Sequence, residues 1–397
     1  MAKYFIKTYG CQANKNESER QATFYEQQGC VETADWREAE KIFLNTCSVR
    51  KAADDRVYAL LNKMQQEYFE KTAQKDEKTG AKSWQWRQKA GKKLPEVILT
   101  GCMCRYQDKL LKKYPILTKV QTPSTVSFDL PAKRKDKTQA FVQISVGCNS
   151  FCTYCVVPYA RGREKSRSLA AVMREVRQAV ADGYEEITLL GQNVNSWGLE
   201  KVSIGKRKEN FSHYRDFPEN RDQYKKFAGT PPFVKLLQEI SKIEQVKKIR
   251  FLTSNPWDFY DELVEEVGKN KKIDRFLHLP VQAGSNEVLR RMNRGYTREK
   301  YLDLLARLRA LDPEIQIGTD IIVGFGNETE AEFLETVDLA KQAHFIMAFV
   351  AMYSPRPGTV SAKIYPDKIP FAEKKRRFEI LDKMINKDQL AQRPKIV

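Results

Sequence analysis

The sequence predicts an α/β protein, a small parallel α/β domain followed by a complete or partial parallel barrel of six βα units. Three observations predict it. Short apolar runs alternate with helical patterns along most of the chain. One polar stretch at residues 131–139, PAKRKDKTQ, interrupts that rhythm and reads as a linker. Cysteines fall directly after several of the strand-like runs, where parallel sheets carry their chemistry.

In order, residues 3–8 read as a strand, 17–28 as a helix, 41–45 as a strand and 52–69 as a helix. A third strand at 96–100 precedes a helix at 107–113. Strand–helix repetition of this kind implies right-handed crossovers and a small parallel sheet over residues 1–130. Beyond the linker, strand patterns lie at 140–146, 186–190, 248–252, 275–279, 316–323 and 347–352. Helical patterns between them include 170–181 and 298–310. They define a second domain over 140–390 with a tail at 391–397; periodicity alone does not decide between a six-unit barrel and an open sheet.

Two segments break the alternation, residues 65–93 and 199–230. The first holds 8 basic and 4 acidic residues and the second 8 and 5, so together they carry +7 of a net +18. Inserts this long are usually lids or mobile loops. Their Trp84, Trp86, Tyr214 and Tyr224 are open to two readings, stacking on bases or local packing.

Composition sets the outer bounds. A 41% hydrophobic content over 397 residues excludes a wholly disordered chain. No run of about 18 apolar residues occurs, which excludes a membrane-spanning helix. MAKYFIKTYG is too short and mixed for a signal peptide, so a cytoplasmic, membrane-free protein is expected. Sixty-nine basic against 51 acidic residues suit a polyanionic partner or a solvated basic surface. In a reducing compartment, eight cysteines point to metal ligation rather than disulfides.

Cys148, Cys152 and Cys155 form CxxxCxxC in VGCNSFCTYCVVP, just after the first strand of the second domain. Three thiolates on such a loop suit a 4Fe–4S cluster with one iron left open for a ligand. A closed zinc site is the alternative, but it takes four ligands, and the histidines at 213, 278 and 344 are all distant in sequence. Cys11, Cys47 and Cys102 each follow a strand of the first domain, so the parallel sheet brings them to one edge. They suggest a second cluster, against chance placement of buried cysteines. Cys104 is a rival third ligand, whereas Cys30 in QQGCVE reads as structural.

The motifs TYGCQANKNESE, NTCSVR, TGCM, GCNSFCTYCVVPYARGREKSR, LLGQNVNSWG, RFLTSNPWDF, FLHLPVQAGSNEVLRRMNRGYTRE, GTDIIVGF and YSPRPGT occur in this order. The chain thereby resembles the methylthiotransferases of the radical S-adenosylmethionine superfamily, most closely the MiaB type that modifies tRNA. The similarity runs from about residue 3 to 390, interrupted by the two inserts.

The resemblance implies two 4Fe–4S clusters and S-adenosylmethionine as cofactors. The cluster on Cys148, Cys152 and Cys155 would bind S-adenosylmethionine and cleave it to a 5′-deoxyadenosyl radical. That radical would take hydrogen from C2 of an N6-isopentenyladenosine beside the anticodon. The cluster on Cys11, Cys47 and Cys102 would present methylated sulfur to that carbon. An unactivated aromatic C–H resists acid–base chemistry, so the cofactor must supply the radical and the protein its position. Implied partners are tRNA, a reductant protein and a sulfur donor, and a monomer is expected.

Gly191, Gln192, Asn193, Gln282 and Gly324 end strands, where they would meet S-adenosylmethionine or simply form turns. Arg161, Arg163 and Arg167 flank the cysteine loop, either holding a carboxylate or RNA phosphates or forming a solvated basic loop. Asn45 and Arg50 bracket Cys47, where they would shape the surroundings of its cluster, and Arg356 reads as structural.

The sequence departs from the family pattern at Cys104, in GFGNETE, in the length of the basic inserts, and at its end. The resemblance implies a continuation into a small RNA-binding β-barrel; its absence from this sequence is the expectation, through truncation or because basic segments replace it. Residues 360–397, with 10 basic and 5 acidic side chains, suit the second idea. Alternatives are methylthiolation of N6-threonylcarbamoyladenosine or of a protein side chain. A non-enzymatic alternative is a degenerate, metal-stabilised RNA-binding protein.

Overall fold

The computed structural model describes residues 1–48, 51–75, 82–123, 130–199 and 229–388. The tyrosines and charges of the second insert, Arg50 and the tail at 391–397 lie outside the described residues. The chain divides into two compact units. One is Met1–Lys135 with Tyr159–Gly162, the other Asp136–Pro158 with Arg163–Val397.

The first unit runs β1 (Lys3–Tyr9), α1 (Gln12–Gln27), β2 (Val31–Glu32), β3 (Lys41–Thr46) and α2 (Lys51–Tyr68). It continues with β4 (Phe69–Lys75), β5 (Lys82–Gln88), β6 (Glu96–Gly101), α3 (Gln107–Lys113) and β7 (Lys119–Val120). Five strands make a parallel sheet in the order β2-β1-β3-β6-β7. Central β3 buries Ile42, Phe43 and Leu44 completely, the continuous apolar run of a strand covered on both faces. α1 lays Ala22 and Tyr25 over Tyr4 and Phe43, and Cys30 completes that cluster as a small apolar side chain.

Spacing predicts α1 only from residue 17, yet it begins at Gln12. Its first turns bury Asn14, Asn16, Glu17 and Ser18. A polar face turned inward leaves no apolar period to read. The first insert, read only as irregular, contains an antiparallel hairpin of β4 and β5.

The second unit opens with β8 (Gln139–Gln143) and β9 (Ser145–Val146); α4 (Val157–Arg161) straddles the division. Then come β10 (Lys165–Ser166), α5 (Leu169–Ala181), β11 (Glu186–Leu190), α6 (Pro232–Ser241), β12 (Lys248–Phe251), α7 (Asp261–Lys269) and β13 (Phe276–His278). α8 (Asn286–Arg291), α9 (Arg298–Leu311), β14 (Gln316–Val323), α10 (Glu330–Ala343), β15 (Met347–Met352), α11 (Val360–Ile364) and α12 (Phe371–Asp382) complete it.

Its six long-range strands form two parallel sheets, β12-β11-β8 and β13-β14-β15. A parallel bridge from Ile249 to Ile273 leads from β12 toward β13. One apolar core underlies both sheets, built from residues such as Val142, Ile187, Phe233, Ile249, Leu277 and Ile321. Ser168, Thr297 and Thr329 cap α5, α9 and α10 by accepting a backbone N–H, and Thr329 with Glu332 forms a full capping box. No helix among the described residues is long and apolar enough to cross a membrane.

Candidate active site: two cysteine trios at sheet edges

In the first unit the strands end nearly flush, because Tyr9 pairs with Thr46 and Thr46 with Gly101. Cys11, Cys47 and Cys102 therefore leave the sheet at one edge. Cys11 is the N-cap of α1, and its thiol donates to Asn14 Oδ1 at 3.2 Å. Asn14 in turn donates to Asn45 Oδ1 and to the Thr46 carbonyl, while Asn45 Nδ2 donates back to the Asn14 carbonyl at 2.9 Å. These amides lock the start of α1 onto the end of β3.

Gly101 brings the third strand in. Its φ is +88°, and a Cβ there would collide with the backbone carbonyl of Thr46. Only glycine permits that approach. Cys102, which is 3% exposed, thereby reaches hydrogen-bond range of Cys47.

Arg161, from the segment 159–162 of this unit, completes the arrangement. Its guanidinium makes a bidentate ion pair with Glu17, the Nη2–Oε2 arm at 3.3 Å, and both side chains are buried. The hydrogen bond from Cys47 draws the Cys102 thiol below its ordinary pKa, aided by Arg161 and the Ser48 amide and opposed by burial. Cys104 is in a different state. Burial and the neighbouring Cys102 push it up to about 11, and its thiol donates to the Ala160 carbonyl at 3.3 Å.

In the second unit Cys148, Cys152 and Cys155 lie on the loop after β9. Each sulfur accepts one N–H: from Ser150 to Cys148 and from Val157 to Cys155 at 3.4 Å, and from Arg294 Nη1 to Cys152 at 3.3 Å. The loop is fixed at several points. Gln192 accepts from the Gly147 N–H at 2.6 Å, Asn255 donates to Ser150, and Asn293 donates to the Phe151 carbonyl at 2.9 Å. Thr153 binds backbone at Arg291 and Met292. Phe151 holds a φ of +44°, strain that these anchors overcome. Burial pushes the Cys148 thiol up to about 12.

The predicted cofactor residues end their strands, and they differ in contact. Gly191 lies against Ser145, whose Oγ would be 2.7 Å from an added Cβ. Asn193 donates to Asp258 at 2.6 Å. Gln282, at φ +73°, is held by backbone bonds to Asp320 and Ile322. Gly324 donates to Glu328 Oε2 at 2.7 Å.

The three arginines differ more. Arg161 is buried against Glu17, Arg167 pairs with Glu175 and the Gln143 carbonyl, and Arg163 is exposed beside the Phe151 ring. Glu17, Asn14 and Arg294 are additional site residues. They sit inside the quoted motifs, but Glu17 and Arg294 act on partners 144 and 142 residues away, and spacing carries no sign of those contacts.

The donor sets are thiolate-rich, the chemistry of iron–sulfur ligation. N–H donors on each of the three loop sulfurs suit thiolates of a cluster, whose charge they stabilise. Buried polar atoms without a partner among the described residues gather at three adjacent strand ends. They are Gln143 Oε1 and Ser145 Oγ after β8, Asn193 Oδ1 after β11, and Ser254 Oγ and Asn255 Oδ1 after β12. Unpaired buried acceptors are costly, and a polar ligand above the strand ends would satisfy them.

Comparison with known proteins gives the same picture. Residues 142–340 match the family model described as Radical SAM superfamily, and residues 3–120 the one described as Uncharacterized protein family UPF0004. The chain is 38% identical over 387 residues to the tRNA-2-methylthio-N(6)-dimethylallyladenosine synthase of Thermotoga petrophila, covering 96% of this chain and 80% of that protein. It is 37% identical to the protein of the same name from Carboxydothermus hydrogenoformans, covering 96% and 83%. It also superposes on the radical S-adenosylmethionine methyltransferase TsrM of Kitasatospora setae, solved with cobalamin and a 4Fe–4S cluster. The TM-score is 0.57 over 91% of this chain and 77% of that one, at 12% identity, a likeness of fold.

Proposed function

The chain belongs to the radical S-adenosylmethionine methylthiotransferases that act on tRNA, and on that premise we propose that it installs a methylthio group at C2 of N6-isopentenyladenosine beside the anticodon. It is an enzyme whose cofactors are S-adenosylmethionine and 4Fe–4S clusters. The observation that carries the finer reading is the pair of cysteine trios, one at the C-terminal edge of the first unit's parallel sheet and one on the loop after β9. Sulfur insertion needs one site to activate a C–H and another to deliver sulfur.

Cys148, Cys152 and Cys155 would hold one cluster, and Cys11, Cys47 and Cys102 the other. What these groups supply when bound is reductive cleavage of S-adenosylmethionine for hydrogen abstraction at the first and a sulfur source at the second. The protein's own part is positional and electrostatic. Gln192, Asn255 and Asn293 hold the first loop open in a fixed shape, and Arg294 sets a positive charge at Cys152. Gly191, Asn193, Gln282 and Gly324 line the strand ends where S-adenosylmethionine would lie, the six strands being read as an open (β/α)6 barrel. Arg163 is left to meet RNA phosphate, and Arg161 serves the N-terminal trio. Cys104, whose thiol donates to the Ala160 carbonyl, would stand aside from ligation.

Nucleoside mass spectrometry tests the reading. The reconstituted protein, S-adenosylmethionine, a reductant, sulfide and tRNA bearing isopentenyladenosine should yield the 2-methylthio nucleoside. Deoxyadenosine without modified tRNA would move the substrate to another acceptor. Neither product, with iron fully loaded, would overturn the enzymatic assignment.

A further inference from the structure

The hairpin β4–β5 lies outside the parallel sheet and takes no part in either cysteine trio. Its register pairs Lys71 with Trp86 and Ala73 with Trp84 on one face, while Glu70, Thr72, Gln85 and Arg87 alternate onto the other. Trp84 is 66% exposed, and Lys71 Nζ stands 5.2 Å from the centre of the Trp86 ring. The hairpin is held at its base by other groups. Tyr68 and Phe69 are buried there, the Lys89 amide donates to the Tyr68 carbonyl at 2.9 Å, and Lys92 pairs with Glu67 at 2.8 Å.

Trp84 therefore contributes little to folding, although a side chain of that size is seldom left in water. Its surroundings are cationic, with 8 basic and 4 acidic residues over 65–93. Among the described residues no carboxylate lies within ion-pair distance of Lys71 or Arg87. A narrow ribbon with two aromatic rings and unpaired cations matches the chemistry of unpaired nucleotides, which offer flat π-faces and phosphates together.

We propose that this face of the hairpin is an RNA-binding arm, with Trp84 and Trp86 stacking on unpaired bases of the tRNA and Lys71 meeting its phosphates. The proposal rests on the tRNA reading above and adds to it the surface that grips the substrate.

The test is binding of a fluorescein-labelled anticodon stem-loop to the cluster-loaded full chain, followed by anisotropy across a salt series. Trp84→Ala should weaken binding by about 5- to 150-fold, the range for losing one stacked base. Lys71→Ala should reduce the salt slope by about one, and Gln85→Ala on the opposite face should bind as wild type. Iron content and thermal midpoint report whether each variant folds. Should Trp84→Ala lose iron, Trp84→Phe against Trp84→Leu decides, because only the aromatic variant should retain affinity. Unchanged affinity in Trp84→Ala overturns the arm alone. The same result with loss of self-association by sedimentation would assign the face to protein contact and also overturn it. Wild-type protein that ignores the stem-loop would overturn the tRNA reading as well.

Discussion

Arg161 shows how far a residue's role depends on its partner. Sequence places it among three arginines beside a cysteine loop, with no sign that Glu17, 144 residues away, is its counter-ion. Removing one member of a buried pair strands the other, at about 3–5 kcal/mol. Arg161→Met should lower stability by that amount in urea unfolding, and the double variant with Glu17→Gln should recover most of it. In a Cys148, Cys152 and Cys155 triple-alanine background, Arg161→Met should also lower the reduction potential of the remaining cluster, because a cation no longer offsets its added electron. An EPR titration showing no shift would leave Arg161 a purely structural ion pair. The six cysteines and the strand-end residues were legible because each follows a strand in a recurrent pattern. Asn14, Glu17 and Arg294 were not, since each acts through contacts that only folding creates.

At the level of elements, the long strands of both units were readable from apolar runs bounded by polar turns. β2 and β7, at two residues each, are too short for any period to emerge. The hairpin was missed because its composition is polar, although SWQWRQ alternates with the period of a strand. The approach of β6 to β3 depends on Gly101, and here an element-scale prediction follows. Gly101→Ala forces a side chain against Thr46 at a φ of +88°, costing about 1–3 kcal/mol in strain. It should part Cys102 from Cys47 and remove about half the bound iron while leaving the other cluster loaded; full iron content would refute that geometry. A second case concerns α12, whose first turn is tied by Glu373 to Arg376 and Arg377. Hydrogen bonds from these arginines hold the Glu373 carboxyl down to about 2, below its ordinary 4.5. A lowered folded-state pKa gives stability that is present above pH 4.5 and lost as pH falls toward 2. Glu373→Gln should therefore melt lower than wild type at neutral pH, and the gap should close across that window. A gap constant with pH would show that the carboxylate contributes no charge-dependent stability.

For the whole molecule, the separation of the two trios into two units predicts separable losses. Cys152→Ala should abolish deoxyadenosine production altogether. Cys47→Ala should retain it but make no methylthio product; a variant that still does would dissolve the division of labour. The unit boundary also bears on how the chain is made. The first unit's long continuous stretch ends at Lys135, yet the cation that neutralises Glu17 is encoded 26 residues later, in the unit's second segment. At about 5–20 residues per second, the nascent N-terminal sheet waits a second or more on the ribosome with a carboxylate facing an interior that is not yet closed. The order of synthesis thus makes the segment 159–162 a late-arriving part of the first unit, so a chain stopped before residue 161 would leave the Glu17 carboxylate without its counter-ion.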